Sequence, residues 1–127
     1  MRLTSITTKT GDNGTTGLAD GSRVDKDCVR MDALGDLDEL NSVLGILVAS
    51  IKNSPLAGQI RKIQNMLFDM GAELALPEHT LITEQHLEEL EQQVAELNRQ
   101  LPPLQEFILP GGNLSAAHAH HARAVCR

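Results

Sequence analysis

Residues 7–17 read "TTKTGDNGTTG", five threonines and three glycines around Lys9. Gly11, Gly14 and Gly17 permit left-handed or closely approached backbone, so bare amides there can point at phosphate oxygens. The hydroxyls of Thr8, Thr10 and Thr16 add donors, and Lys9 and Lys26 add positive charge. Together these residue types make a nest for a polyphosphate. The nest is neither a P-loop nor a dinucleotide fingerprint, because G-x-x-x-x-G-K-[ST] and G-x-G-x-x-G are both absent. "DNG" and "ADGSRVD" also lack the alternating acids and closing glutamate of a calcium loop. The competing reading is a solvated polar tail.

Three further stretches carry chemistry. In "GDLDELN", 35–41, Asp38 and Asn41 stand at i, i+3 and Gly45 continues their line beside a leucine face. An acid there sits at the edge of a helical bundle or at an interface, whereas Asp36 and Glu39 face water. Alternatively, these acids simply favour the positive end of a helix dipole. In "AHAHHARAVCR", 117–127, Arg123 and Arg127 are one turn apart. Two such guanidiniums suit a phosphate chain, or one pairs with Asp38 on a neighbouring helix or subunit. In "EFILPGG", 106–112, Phe107 is one of only two aromatic residues. It is either a core plug or a ring presented to a ligand just before a helix N-terminus.

No metal site is expected. A di-iron bundle needs Glu-x-x-His on two helices, and the chain has none; His86-x-x-Glu89 runs the other way. His118, His120 and His121 are neighbours, but structural zinc needs four ligands and Cys126 lies too far along the helix.

The elements that must position these groups are helices. Leu37, Leu40, Leu44, Leu47, Val48 and Ile51 form one face of a helix over Met31–Ile51. "NSP" stops it, with Ser54 a cap and Pro55 a first residue for the next helix. Leu56, Ile60, Ile63, Leu67, Met70 and Leu74 alternate by four and three until Pro77. Thr83 caps a third helix bearing Leu87, Leu90, Val94, Leu97 and Leu101. An alanine-rich fourth covers Asn113–Arg127. Four helices with short connections after an irregular arm make an all-α, up-and-down helical bundle of the four-helix, ferritin-like type. The core is almost wholly aliphatic, as helix packing favours.

The chain's 127 residues suit one domain, with an arm over 1–30 and the bundle over 31–127. A net charge of −6 argues against a nucleic-acid or membrane-surface binder. Cys28 and Cys126 match no zinc spacing and read as free thiols in a reducing cytosol. Met1–Lys9 has no apolar core of an export signal, and no apolar run is long enough for a membrane span. A cytoplasmic protein is expected.

Taken in order, "TKTGDNGTTGLADGSRVDKD", "ALGDLDELNSVLG", "FILPGG" and "ARAVCR" resemble the ATP:cob(I)alamin adenosyltransferases of the propanediol-utilisation type, over nearly the whole chain. The resemblance implies a five-helix bundle, a homotrimer with active sites between subunits, and transfer of the 5′-deoxyadenosyl group of ATP to cobalt with release of triphosphate. It places Thr8, Lys9, Thr10, Gly11, Thr16, Gly17, Lys26 and Arg127 on ATP. It places Asp38 and Arg123 in a pair between subunits at the cobalamin side, and Phe107 where cobalamin's lower ligand would bind. It further implies Mg2+ on the phosphates and an electron-donating reductase. Family members continue past "ARAVCR" through an Arg-Ala-Glu-Arg run and a further helix, so the sequence is expected to be C-terminally incomplete. That gap leaves a second reading, a non-catalytic ATP- and cobalamin-binding module or carrier.

Overall fold

The computed structural model describes residues 4–127, so the first three residues of the arm lie outside it. Two short strands, β1 (Thr15–Gly17) and β2 (Arg23–Asp25), precede four helices: α1 (Val29–Ser50), α2 (Leu56–Ala75), α3 (Glu84–Arg99) and α4 (Leu114–Cys126). The fold is helical, as the periodicity requires.

α1 is the central element, packed against α2 on one side and α4 on the other. Val43, Leu44 and Leu47 of α1 meet Leu67 of α2 and Ala122 of α4 in the buried core, ringed by Leu37, Leu40, Ile51, Ile60, Ile63 and Val125. Most of these are apolar positions of the sequence pattern; Val43, Val125 and Ala122 are additions that the pattern did not name. A reciprocal exchange ties α1 to α2: Asn41 Nδ2 donates to the Gln64 carbonyl at 3.2 Å and Gln64 Nε2 donates to the Asn41 carbonyl at 3.0 Å. Gly45 leaves room for that amide; a β-carbon there would stand 3.4 Å from Gln64 Nε2.

The helix ends follow local chemistry. Asn113 caps α4, its Oδ1 accepting from the Ala116 amide at 2.8 Å. Thr83 and His86 form a capping box on α3, with the Thr83 amide donating to His86 Nδ1 at 3.0 Å. Ser54 Oγ accepts from the Leu56 amide at 3.3 Å as the chain enters α2. α1 starts at Val29 rather than Met31, so the arm–bundle boundary at 30/31 falls inside a helix. Its N-cap is Cys28, whose side chain makes no capping hydrogen bond, and the start therefore has no sequence signature.

Two features depart from the expected bundle. The described residues contain four helices rather than the five implied by the resemblance. α3 contains no buried residue, and its apolar stripe leaves Leu87 and Val94 about half exposed, at 51% and 56%. The α2–α3 connection is instead held by Glu73, whose Oε1 accepts from the amides of Leu81 at 2.5 Å and Ile82 at 2.6 Å. Those two donors, Ile82 foremost, hold the Glu73 carboxyl below its ordinary value. Among the described residues, no helix is long and apolar enough to cross a membrane.

Candidate functional site

The arm is not irregular throughout. β1 and β2 pair antiparallel, with Thr15 opposite Asp25, Thr16 opposite Val24 and Gly17 opposite Arg23. Strands this short show no readable alternation, which is why the pattern missed them. The Lys26 amide extends the ladder to the Gly14 carbonyl at 2.9 Å. The connecting turn is closed by Asp20, whose Oδ1 accepts from both the hydroxyl and the amide of Ser22. Those bonds, the hydroxyl first, lower the Asp20 pKa, with the nearby Arg30 charge adding to them.

The threonine–glycine loop folds back onto this hairpin. Lys9 adopts φ 58°, a left-handed conformation that few non-glycine residues take. Its carbonyl accepts from the Asp12 amide, and the Gly14 amide donates to the Gly11 carbonyl at 3.2 Å. Gly14, at φ 87°, makes the bend that returns the chain into β1. Thr8 and Thr10 share a hydroxyl–hydroxyl hydrogen bond of 2.9 Å.

Lys26 lies across the loop. Its Nζ is 2.9 Å from the point a β-carbon would occupy on Gly11, so the bare glycine is what admits the ammonium. Thr8, Lys9, Thr10, Gly11 and Lys26 are thereby gathered on one loop and its neighbouring strand end. Thr16 and Gly17 lie on β1 with Thr16 half-buried. Seven of the eight expected ATP-binding residues thus lie on the loop and the hairpin it adjoins; Arg127 is placed apart, at the C-terminal end of α4.

Arg23 was absent from the sequence expectations. Its Nε donates to Thr15 Oγ1 at 3.1 Å. Its Nη2 donates to the Thr10 carbonyl at 2.9 Å, to the Thr15 carbonyl at 3.1 Å and to Thr15 Oγ1 at 2.9 Å. No local signal marks this residue, because its partners become neighbours only once the hairpin has formed.

On α1, Asp38 is exposed and lines a groove of about 350 Å³ with Leu34, Leu37, Asn41, Phe68 and Gly71. Asn41 is buried there, and its Oδ1 has no hydrogen-bond partner. Arg123 and Arg127 are exposed on α4. Among the described residues Arg99–Glu96 is the sole ion pair, so Asp38 and Arg123 do not pair within one chain. Phe107 is fully solvent-exposed, as Leu109 nearly is; the core-plug reading of this ring is therefore wrong. The link from Pro102 to Leu109 lies off the bundle, with every side chain exposed. His118 and His120 are half-buried and His121 is exposed. Among the described residues, no group of three or more His, Cys, Asp or Glu side chains could hold a metal ion.

Known proteins share this arrangement. Residues 6–127 match the family described as cobalamin adenosyltransferase. A cobalamin adenosyltransferase of Cupriavidus metallidurans is 48% identical, over 99% of this chain and 69% of its own length. A corrinoid adenosyltransferase of Citrobacter freundii is 44% identical, over 96% of this chain and 73% of its own. Among solved structures, a PduO-type ATP:corrinoid adenosyltransferase from Lactobacillus reuteri superposes with a TM-score of 0.86 at 32% identity, over 95% of this chain and 71% of the other. That structure is a phenylalanine-to-alanine variant complexed with cobalamin and ATP. An arginine-to-lysine variant of the same protein, complexed with ATP, also gives 0.86, at 34% identity over 94% and 71% of the two chains. With the sequence match running from the threonine–glycine loop to the last arginine, and the helices superposing over the same span, the chain belongs to the cobalamin adenosyltransferase family.

Proposed function

We propose that this chain transfers the 5′-deoxyadenosyl group of ATP to the cobalt of cob(I)alamin, forming adenosylcobalamin and inorganic triphosphate. One observation carries the reading: within the matched span, a lysine ammonium, a left-handed lysine turn and a pair of threonine hydroxyls converge on one glycine loop. That is the chemistry a triphosphate needs.

In the reaction the cobalt(I) lone pair attacks the 5′ carbon. The 5′ carbon–oxygen bond breaks, and its electron pair leaves with the triphosphate. The protein supplies no nucleophile; it positions the 5′ carbon and offsets the charge of the departing group. Lys9, Lys26 and Arg127 are assigned to that charge. Thr8, Thr10, Gly11, Thr16 and Gly17 are assigned to orienting the nucleotide through hydroxyls and amides.

Phe107 is assigned to the lower face of the corrin. Its ring is exposed and cannot coordinate cobalt. Placed there, it would keep water and the lower ligand away and so ease reduction to cobalt(I). The substituted phenylalanine and arginine of the Lactobacillus reuteri variants lie twenty positions apart. Phe107 and Arg127 have the same separation here, which supports pairing the two residues with those positions.

Asp38 and Arg123, unpaired within the chain, are assigned to a bridge between copies in a homotrimer. The uncovered apolar residues of α3 and of the 104–109 link support burial against other surfaces. Magnesium would ride on the phosphates, since the described residues hold no cage for it and Mg2+ commonly takes only one or two carboxylates besides phosphate and water. A reductase is required to deliver the electron. The free cysteines Cys28 and Cys126 agree with a cytoplasmic setting. The family match over 6–127 supports a single domain.

The test is spectroscopic. Protein mixed with ATP and chemically reduced cobalamin should give the adenosylcobalamin spectrum and stoichiometric triphosphate. Cobalamin and ATP both bound, with no product, would overturn the reading in favour of a carrier.

A further inference from the structure

We propose that Arg23 is a positioning residue for the nucleotide: its guanidinium clamps the Thr10 carbonyl to Thr15, and thereby holds the Lys9–Gly11 turn in the shape that receives the triphosphate. This rests on the reading of the arm as the ATP site.

The geometry has three parts. First, Arg23 Nη2 reaches the Thr10 carbonyl at 2.9 Å while Nε and Nη2 together grip Thr15 Oγ1 at 3.1 and 2.9 Å. One planar fork thus joins the loop before the glycines to the strand after them. Second, the guanidinium passes over Gly17, its cross-strand partner, where a β-carbon would stand 3.7 Å from Nη1, an ordinary contact distance that places the side chain flat along the hairpin. Third, the residue before the clamped carbonyl is Lys9 at φ 58°. A left-handed non-glycine residue persists where its surroundings over-determine it, and the Arg23–Thr10 bond supplies that constraint from thirteen residues away.

The charge has a second consequence. Arg23 bonds to carbonyl and hydroxyl oxygens, and among the described residues no carboxylate forms an ion pair with it. Its positive charge therefore adds to those of Lys9 and Lys26 on the same loop, which favours an anionic ligand. Lysine at this position would keep the charge but lose the fork.

The experiment uses the full chain with ATP as probe and compares Arg23→Lys and Arg23→Ala with the unaltered protein. ATP binding is read by calorimetry, KM and kcat by adenosylcobalamin formation, and global stability by thermal unfolding. Both variants should raise the Kd and KM for ATP about tenfold, the loss expected for a charge-assisted hydrogen bond. kcat should change less than about twofold, since preorganisation acts on binding, and Tm should stay put. Recovery by Arg23→Lys would reduce the role to charge and overturn the clamp. So would unaltered ATP affinity in both variants, or a fall in Tm without a change in KM. Lys26→Ala is run in parallel. If it weakens ATP binding and the Arg23 variants do not, only the clamp fails. If neither changes ATP affinity, the arm is not the nucleotide site and both proposals fall.

Discussion

Lys26 sets its ammonium 2.9 Å from where the β-carbon of Gly11 would be. The glycine is therefore required for space rather than for turn geometry, since its own φ is not positive while those of Gly14 and Gly21 are. Gly11→Ala would also bring a methyl group to 3.1 Å from the Thr15 carbonyl, and the flexible lysine would be the part that moves. We expect Gly11→Ala to weaken ATP binding about tenfold, the scale of one displaced charge-assisted contact. Thermal stability should change little, because the bundle core is untouched. Calorimetric titration with ATP checks this, and unchanged affinity would remove Lys26 from the site.

Phe107 carries no packing load in the chain, being fully exposed. Phe107→Ala should therefore shift folding stability by no more than about 0.5 kcal/mol, the range for surface substitutions. Adenosylcobalamin formation should fall steeply while ATP affinity holds. Equal turnover in the variant would sink the proposed role at cobalt.

Glu73 gives the connection between α2 and α3 a defined response to acid. Its folded-state pKa lies below the ordinary 4.5 because the Ile82 and Leu81 amides bond to the carboxylate. For a depressed pKa the stabilisation is complete above the unfolded value and is lost as pH falls through the folded one. Hydrogen-exchange protection of the Leu81 and Ile82 amides, corrected for intrinsic rates, should hold from neutrality to about pH 4.5 and decline below it. In Glu73→Gln that decline should vanish. A decline of equal size in both proteins would place its origin elsewhere.

Leu47 sits where α1 meets its two packed neighbours and is only 6% exposed. Leu47→Ala should cost about 2–5 kcal/mol through lost transfer energy and the cavity left behind. Phe68→Ala, at a side chain 70% exposed, should cost far less despite the larger truncation. Urea unfolding of the two variants compares them directly, and similar midpoints would contradict the assigned core.

The leucine spacing of α1 and α2 was enough to identify the helices and the face each buries. Leu44, Leu47 and Leu67 occupy the core because a 3.6-residue period states which side of a helix avoids water, while Val43 joins them outside the named face. Composition and order likewise singled out the threonine–glycine stretch as a candidate phosphate site, since glycine, threonine and lysine at those positions have little to bury and much to donate. The cap at Thr83 was legible because a cap is a contact between residues three apart; Asn113, read as part of the fourth helix, is instead its cap. Periodicity does not say what covers an apolar face, and so α3 has the same four–three alternation as α2 yet buries nothing. Nor does it say whether a lone aromatic on a linker turns in or out, and Phe107 turns out. The Arg23 clamp was beyond the sequence altogether. Its partners Thr10 and Thr15 are brought to the guanidinium only by the strand pairing and by the return of the loop. Local order could name the groups able to hold a phosphate; folding decided which of them meet, because contacts between residues far apart in the chain depend on how the whole backbone closes.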